Sequence, residues 1–211
     1  MPSLTVAGID VGSSRKGFHA VALRDGGYLD QIATRDAGQL RQWCLKVDAR
    51  IIGVDAPCHW SLTGRARPAE RELMAEKIWC FSTPTHAMAL AHPKDHYGWM
   101  RAGAELFRLL KSTHELYDGG GATFGKRVCF ETFPHAVACA LRGEIVSAKN
   151  KQRDRSALLA AYGVNLPSGS SIDVIDAALC ALVAKCFLMN KIRCYGDVVS
   201  GLIVVPTPIQ I

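Results

Sequence analysis

The chain has 211 residues, of which 49% are apolar and 21% charged, enough to bury a core and too apolar for wholesale disorder. Lysine and arginine number 25 against 19 aspartates and glutamates, a net charge of +6, which suits an anionic partner such as nucleic acid. The longest charge-free apolar run inside a helical pattern, Ala177 to Ala184, covers eight residues where a bilayer needs roughly 20. Met1-Pro2-Ser3 lacks the basic start of a secretory signal, so the expectation is a cytoplasmic protein without membrane contact. No two of the eight cysteines are separated by only two residues, so the paired spacing of a zinc site is missing, and the thiols are expected to be reduced core residues, with Cys58, in a loop, as the exception.

The first third of the chain predicts strands over Leu4–Ile9, Phe18–Leu23 and Tyr28–Ala33, the last two joined by the turn Asp25-Gly26-Gly27. A helix follows, with Leu40, Trp43, Cys44 and Val47 at helical spacing. The unalternating run Ile51-Ile52-Gly53-Val54 then reads as a strand covered on both faces. This order predicts a mixed sheet in which the first and fourth strands are parallel neighbours.

Residues 61–124 read as a helical insertion, with helices over Pro68–Glu76 and Tyr97–Ser112 and a turn at Gly119-Gly120-Gly121. A fifth strand at Val128–Phe130 precedes helices over Pro134–Leu141, Asp154–Tyr162 and Ile172–Met189. A terminal strand, Leu202–Val205, is stopped by Pro206 and Pro208. With no repeat or linker, the expectation is a single α/β domain over 1–211.

Three core strands end on acidic residues: Gly8-Ile9-Asp10, Gly53-Val54-Asp55 and Cys129-Phe130-Glu131. In a sheet whose parallel strands share a direction these ends fall on one edge, where open α/β sheets bind ligands. Carboxylates crowded there repel one another unless cations neutralise them. Oxygen donors without histidine or cysteine point to hard ions, Mg²⁺ or Mn²⁺. On the last helix Asp173 and Asp176 are three apart and share a face. Asp173 equally suits a first-turn carboxylate favoured by the helix dipole.

Asp10 after the first strand of a meander, Asp55 after the fourth strand and the late Asp173-x-x-Asp176 resemble the ribonuclease H-like superfamily, particularly its Holliday-junction-resolvase branch. More narrowly, the chain resembles a family of predicted ribonuclease H-like nucleases, domain of unknown function 429. The matching segments are Gly8-Ile9-Asp10, Val54-Asp55-Ala56-Pro57, Arg67 with Glu70-Arg71, Thr83-Pro84, Gly98-Trp99-Met100, Glu131-Thr132-Phe133-Pro134 and Asp173-Val174-Ile175-Asp176-Ala177. The resemblance implies a mixed five-stranded sheet flanked by helices, with an extra C-terminal strand. It also implies hydrolysis of nucleic-acid phosphodiester bonds with two divalent ions. Asp10 would bridge the ions, Asp55 and Asp176 would each hold one, and Asp173 or Glu131 would complete a shell.

Candidates for holding substrate phosphates are Arg15, Lys16, Arg67, Arg71 and the basic stretch Arg142, Lys149, Lys151, Arg153 and Arg155. Arg71 equally suits pairing with Glu131 or another site carboxylate. Trp60, in Cys58-His59-Trp60-Ser61 after Asp55, is available to stack on a base. Two other readings stay open. One is a non-catalytic module binding nucleic acid or a nucleotide. The other is an actin-like or sugar-kinase-like ATP-binding protein, suggested by Ile9-Asp10-Val11-Gly12-Ser13-Ser14.

Overall fold

A computed structural model describes residues 4–120, 125–147 and 149–207. Three antiparallel strands, β1 (Thr5–Val11), β2 (Phe18–Arg24) and β3 (Gly27–Thr34), form the expected meander. Helix α1 (Ala37–Lys46) crosses over, its start fixed by Asp36, whose carboxylate accepts from the backbone N–H groups of Gly38 and Gln39 at 2.7 and 3.0 Å. Strand β4 (Ala49–Asp55) then pairs parallel to β1, as a helical crossover requires.

The insertion carries α2 (Pro68–Ala75), the short α3 (His86–Ala91), a 3₁₀ turn at Asp95–Tyr97 and α4 (Gly98–Leu110). The two-residue β5 (Glu115–Leu116) leads towards β6 (Val128–Glu131), to which it pairs parallel. Helices α5 (Pro134–Arg142), α6 (Lys151–Ala161) and α7 (Ile172–Leu188) follow, then the hairpin of β7 (Ile192–Asp197) and β8 (Gly201–Pro206). The sheet order is β3-β2-β1-β4-β6-β8-β7. Its first five members form the mixed five-stranded sheet that the resemblance implies. The sheet is wider than expected, because β5 and β7 join it and β8 pairs with both β6 and β7. Gly121, the last residues of the expected insertion and Pro208 lie outside the described residues.

Strand alternation divides the core into two layers. Val6, Ile51, Val128 and Phe130 face α5, α6 and α7, while Ala7, Ile9, Ile52, Val54 and Cys129 face α1 and α4. A smaller cluster joins Ala69 and Leu73 of α2 to Ala136, Tyr195, Ile203 and Val205. No described helix is long and apolar enough to cross a membrane. Cys44, Cys129, Cys139, Cys180 and Cys186 are buried free thiols. Cys58, the expected exception, and Cys80 are half-buried and Cys194 is exposed, so the expectation of core thiols does not hold for Cys80 and Cys194.

Candidate active site

Two glycines set the geometry. A methyl group added at Gly8 would lie 2.0 Å from the Ala181 backbone nitrogen and 2.1 Å from the Ala177 carbonyl oxygen. One at Gly53 would lie 2.6 Å from the Cys180 carbonyl oxygen. Helix α7 therefore rests backbone-to-backbone on β1 and β4. Side chains two residues apart in a strand share a face, so Asp10 and Asp55 emerge on this side just past the crossing. The two are direct partners in the parallel β1–β4 register. Asp176 immediately precedes Ala177 of the crossing, and Asp173 lies one turn earlier. Ser171 caps the helix by accepting from the Val174 N–H at 3.3 Å.

The electrostatics agree with this convergence. The Asp10 carboxyl is pushed up to about 7, first by burial and then by the charges of Asp176 and Asp173. Burial, followed by the charges of Asp10 and Asp176, holds Asp55 well above the usual carboxylate range. Asp176, 8% exposed, is also raised by burial, against the opposing pull of Arg155. Three cations answer the cluster. Arg155 is ion-paired with Asp176, Lys16 binds both oxygens of Asp173 at 2.8 and 3.0 Å, and Lys151 acts on Asp10 and Asp176 from the start of α6. Among the described residues, no lysine or arginine is in ion-pair contact with Asp10 or Asp55.

Glu131 does not join this group. In the parallel β4–β6 register it stands opposite Val54, not Asp55, and a one-residue offset turns a strand side chain to the other face of the sheet. There its carboxylate takes two hydrogen bonds from Arg67, at 2.9 and 2.6 Å, and one from the Cys58 N–H at 2.8 Å. The same guanidinium reaches Glu70 at 2.8 Å, and Glu70 also accepts from the Thr83 N–H at 3.1 Å. The matched segments around Arg67, Glu70, Thr83 and Glu131 thus build a buried polar joint between α2 and β6. Glu131 is not placed as a metal ligand beside Asp10 and Asp55, and Arg67, 2% exposed, is not placed to meet a phosphate.

The remaining candidates are placed as follows. Arg71 is exposed and donates to the Ala66 carbonyl at 2.7 Å, with no contact to Glu131. Arg15 is exposed in the loop after β1, where its carbonyl accepts from Arg35 at 3.0 Å. The half-buried Trp60 ring lies 5.2 Å from that of His86. Arg142, Lys149, Lys151 and Arg153 are exposed, whereas Arg155 is buried on Asp176. Sequence reasoning missed His19. It is the antiparallel partner of Asp10 on β2, so it shares its face of the sheet, and its Nδ1 is buried without a hydrogen-bond partner among the described residues. Sequence reasoning also read Gly8-Ile9-Asp10 and Gly53-Val54-Asp55 for their acids alone and missed what the glycines do, which is to let a helix cross beside each acid.

Residues 8–199 match the family described as "Protein of unknown function (DUF429)". The chain belongs to that family. Among solved structures, this DUF429 chain is similar to Thermus thermophilus RuvC, with 14% identity and a TM-score of 0.46 over 89% of this chain and 97% of that one. It is also similar to T. thermophilus RuvC in complex with a Holliday junction substrate, with 16% identity and a TM-score of 0.45 over 85% and 91% of the two chains. Comparison with curated protein sequences finds no match.

As donors for a divalent ion, the DUF429 cluster is chemically apt: carboxylate oxygens only, two of them free of ion pairs and held at raised pKa first by burial and then by the charge of neighbouring carboxylates. Its arrangement is not a ready cage. Among the described residues no three His, Cys, Asp or Glu side chains are grouped closely enough to hold a metal, and Asp173 and Asp176 are paired with Lys16 and Arg155.

Proposed function

We propose that this chain is a metal-dependent nuclease that hydrolyses phosphodiester bonds of nucleic acid. The observation that carries the reading is the convergence of Asp10, Asp55, Asp173 and Asp176 where α7 crosses the ends of β1 and β4. Asp10, Asp55 and Asp176 are the proposed catalytic residues, with Asp173 as a further donor, and the ions are Mg²⁺ or Mn²⁺. When bound, such ions activate a water as nucleophile and stabilise the departing oxygen. The chain's own contribution is to hold these carboxylates desolvated and crowded, so that a cation relieves their repulsion. Lys16 and Arg155 hold Asp173 and Asp176 in place until then, and Lys16 and Lys151 are the proposed contacts for the phosphates. A non-catalytic binding module is favoured by one specific feature, the two ion pairs that already neutralise half of the carboxylates.

A panel of labelled single-stranded and duplex DNA, RNA, an RNA–DNA hybrid and a four-way junction separates the two. Each is incubated with Mn²⁺, Mg²⁺ or chelator, using wild type beside Asp10→Asn. Metal-dependent cutting that disappears in the variant is the expected result. Binding without cutting by folded wild type, with either ion, overturns the nuclease reading in favour of the module.

A further inference from the structure

A cleft opens at the strand ends on the side of Glu131, and it shares Asp55 with the carboxylate cluster. It has a volume of about 240 Å³ and lies where the ends of β4, β6 and β8 meet the insertion, and its lining reaches Asp55. Three aromatic residues line it: Phe81 from the insertion, Trp99 from the first turn of α4 and Phe133 from the start of α5. The Phe81 and Trp99 rings stand edge to face with centroids 6.3 Å apart. Phe81 is 71% exposed although it borders a cleft with apolar walls, and the neighbouring Trp79 is 73% exposed. Trp99 and Phe133 are half-buried and packed against the core, so the cleft has two fixed rings and one exposed ring, Phe81, and a large exposed apolar side chain at a concave site marks a binding surface. The carboxylates beneath, Glu70 and Glu131, are already engaged by Thr83 and Arg67, so they add no free charge to repel a neutral ring.

We propose that this cleft receives one unpaired nucleobase of the substrate, stacked against Phe81 and Trp99. The proposal rests on the nuclease reading for its ligand class and adds that the substrate is single-stranded or locally unpaired. The cleft is below the size of a drug-like pocket and has aromatic walls, which suits a single planar ring. Because its lining includes Asp55, a base seated there would keep its own sugar-phosphate close to the carboxylates. A base in an intact duplex is already stacked and reaches such a cleft only after extrusion. Stacking on aromatic side chains is strong and tolerant of base identity, so little sequence preference is expected.

The test measures binding by anisotropy in chelator, where no cutting occurs. The probes are a short labelled single strand, the same strand with abasic sites at every other position, and its blunt duplex, each with wild type and Phe81→Ala. Phe81 is exposed, so its loss leaves the core intact; Trp99→Leu, checked for folding by circular dichroism, provides an independent second variant. Wild type should bind the single strand about tenfold more tightly than the abasic strand or the duplex. In Phe81→Ala and Trp99→Leu that preference should vanish. A wild type with no such preference, a preference that survives both variants, or no binding to any probe overturns the cleft assignment. The outcome is separable from that of the nuclease reading. Asp10-dependent cutting by a protein whose preference ignores both variants would leave a nuclease without this cleft. A preference abolished by the variants in a protein that cuts nothing would leave the cleft without a nuclease.

Discussion

At the scale of single residues, Asp10 carries the clearest consequence. Its carboxyl sits near 7 against an ordinary 3.8, raised chiefly by burial. An acid with a raised native pKa binds its proton more tightly folded than unfolded, so its cost is absent at low pH, grows between about pH 4 and 7, and is complete above. The full shift corresponds to about 4 kcal/mol, and partial solvent access lowers this to roughly 2 kcal/mol. Asp10→Asn should therefore be more stable than wild type at pH 8 in chelator, with the gap closing towards pH 4. Paired thermal melts across that range check it, and a gap that widens as the pH falls refutes the assignment. Arg67 makes the opposite case. Removing it strands Glu70 and Glu131 inside the protein, so Arg67→Met should cost about 3–5 kcal/mol in urea titration, and adding Glu131→Gln should recover part of the loss. A variant of full stability with weakened nucleic-acid binding would instead restore Arg67 to the phosphate-contact role that its place in the chain suggested.

Secondary-structure elements add a constraint that no single acid reveals: the start of α7, with Asp173 and Asp176, lies beside the ends of β1 and β4 because the helix rests against bare backbone. Gly8→Ala places a methyl within about 2 Å of that backbone, and no rotamer relieves it, so the helix must lift. Overpacking of this kind costs 1–3 kcal/mol or more, and the predicted loss for Gly8→Ala is about 3 kcal/mol in urea titration. Gly53→Ala, with more room, should lose less. Both should also weaken any metal-dependent activity, because Asp173 and Asp176 ride on the same helix. Much of this arrangement was legible beforehand. The apolar runs located β1, β4 and β6, their acidic ends located Asp10 and Asp55, and the three-residue spacing placed Asp173 and Asp176 on one helix face. The sequence does not print register, so the one-residue offset that sends Glu131 to Arg67 was hidden. Strand β7 was hidden for a different reason. In Ile192-Arg193-Cys194-Tyr195-Gly196-Asp197 only Tyr195 is buried, and an edge strand paired on one side needs no alternating pattern. The partnership of Arg155 with Asp176 joins helices 21 positions apart in the chain, beyond the reach of spacing arguments.

Across the whole molecule, the net charge of +6 matters through where its cations stand. Lys16, in the loop after β1, and Lys151, at the start of α6, approach the carboxylate cluster from different segments, and both act on Asp10. Exposed Arg15, Lys149 and Arg153 lie close to them in the chain. An acidic centre bordered by exposed cations suits a polyanion whose phosphates rest on the border while one of them reaches the centre. Binding through such contacts releases counterions, so affinity should fall with salt along a log–log slope of about −0.9 per phosphate neutralised on duplex and about −0.7 on single strands. Lys151 forms no ion pair among the described residues, which makes Lys151→Gln the least disruptive probe of that border. The expected outcome, measured by anisotropy over a salt series in chelator, is a slope shallower by about one unit than wild type. The loss in affinity should be uniform across base sequences, since a phosphate contact carries no sequence information. An unchanged slope would show that the N-terminal end of α6 is merely solvated and that phosphates approach the carboxylates from elsewhere. A sequence-dependent loss would show that Lys151 touches bases, and the single-stranded path would then have to cross α6 rather than skirt it.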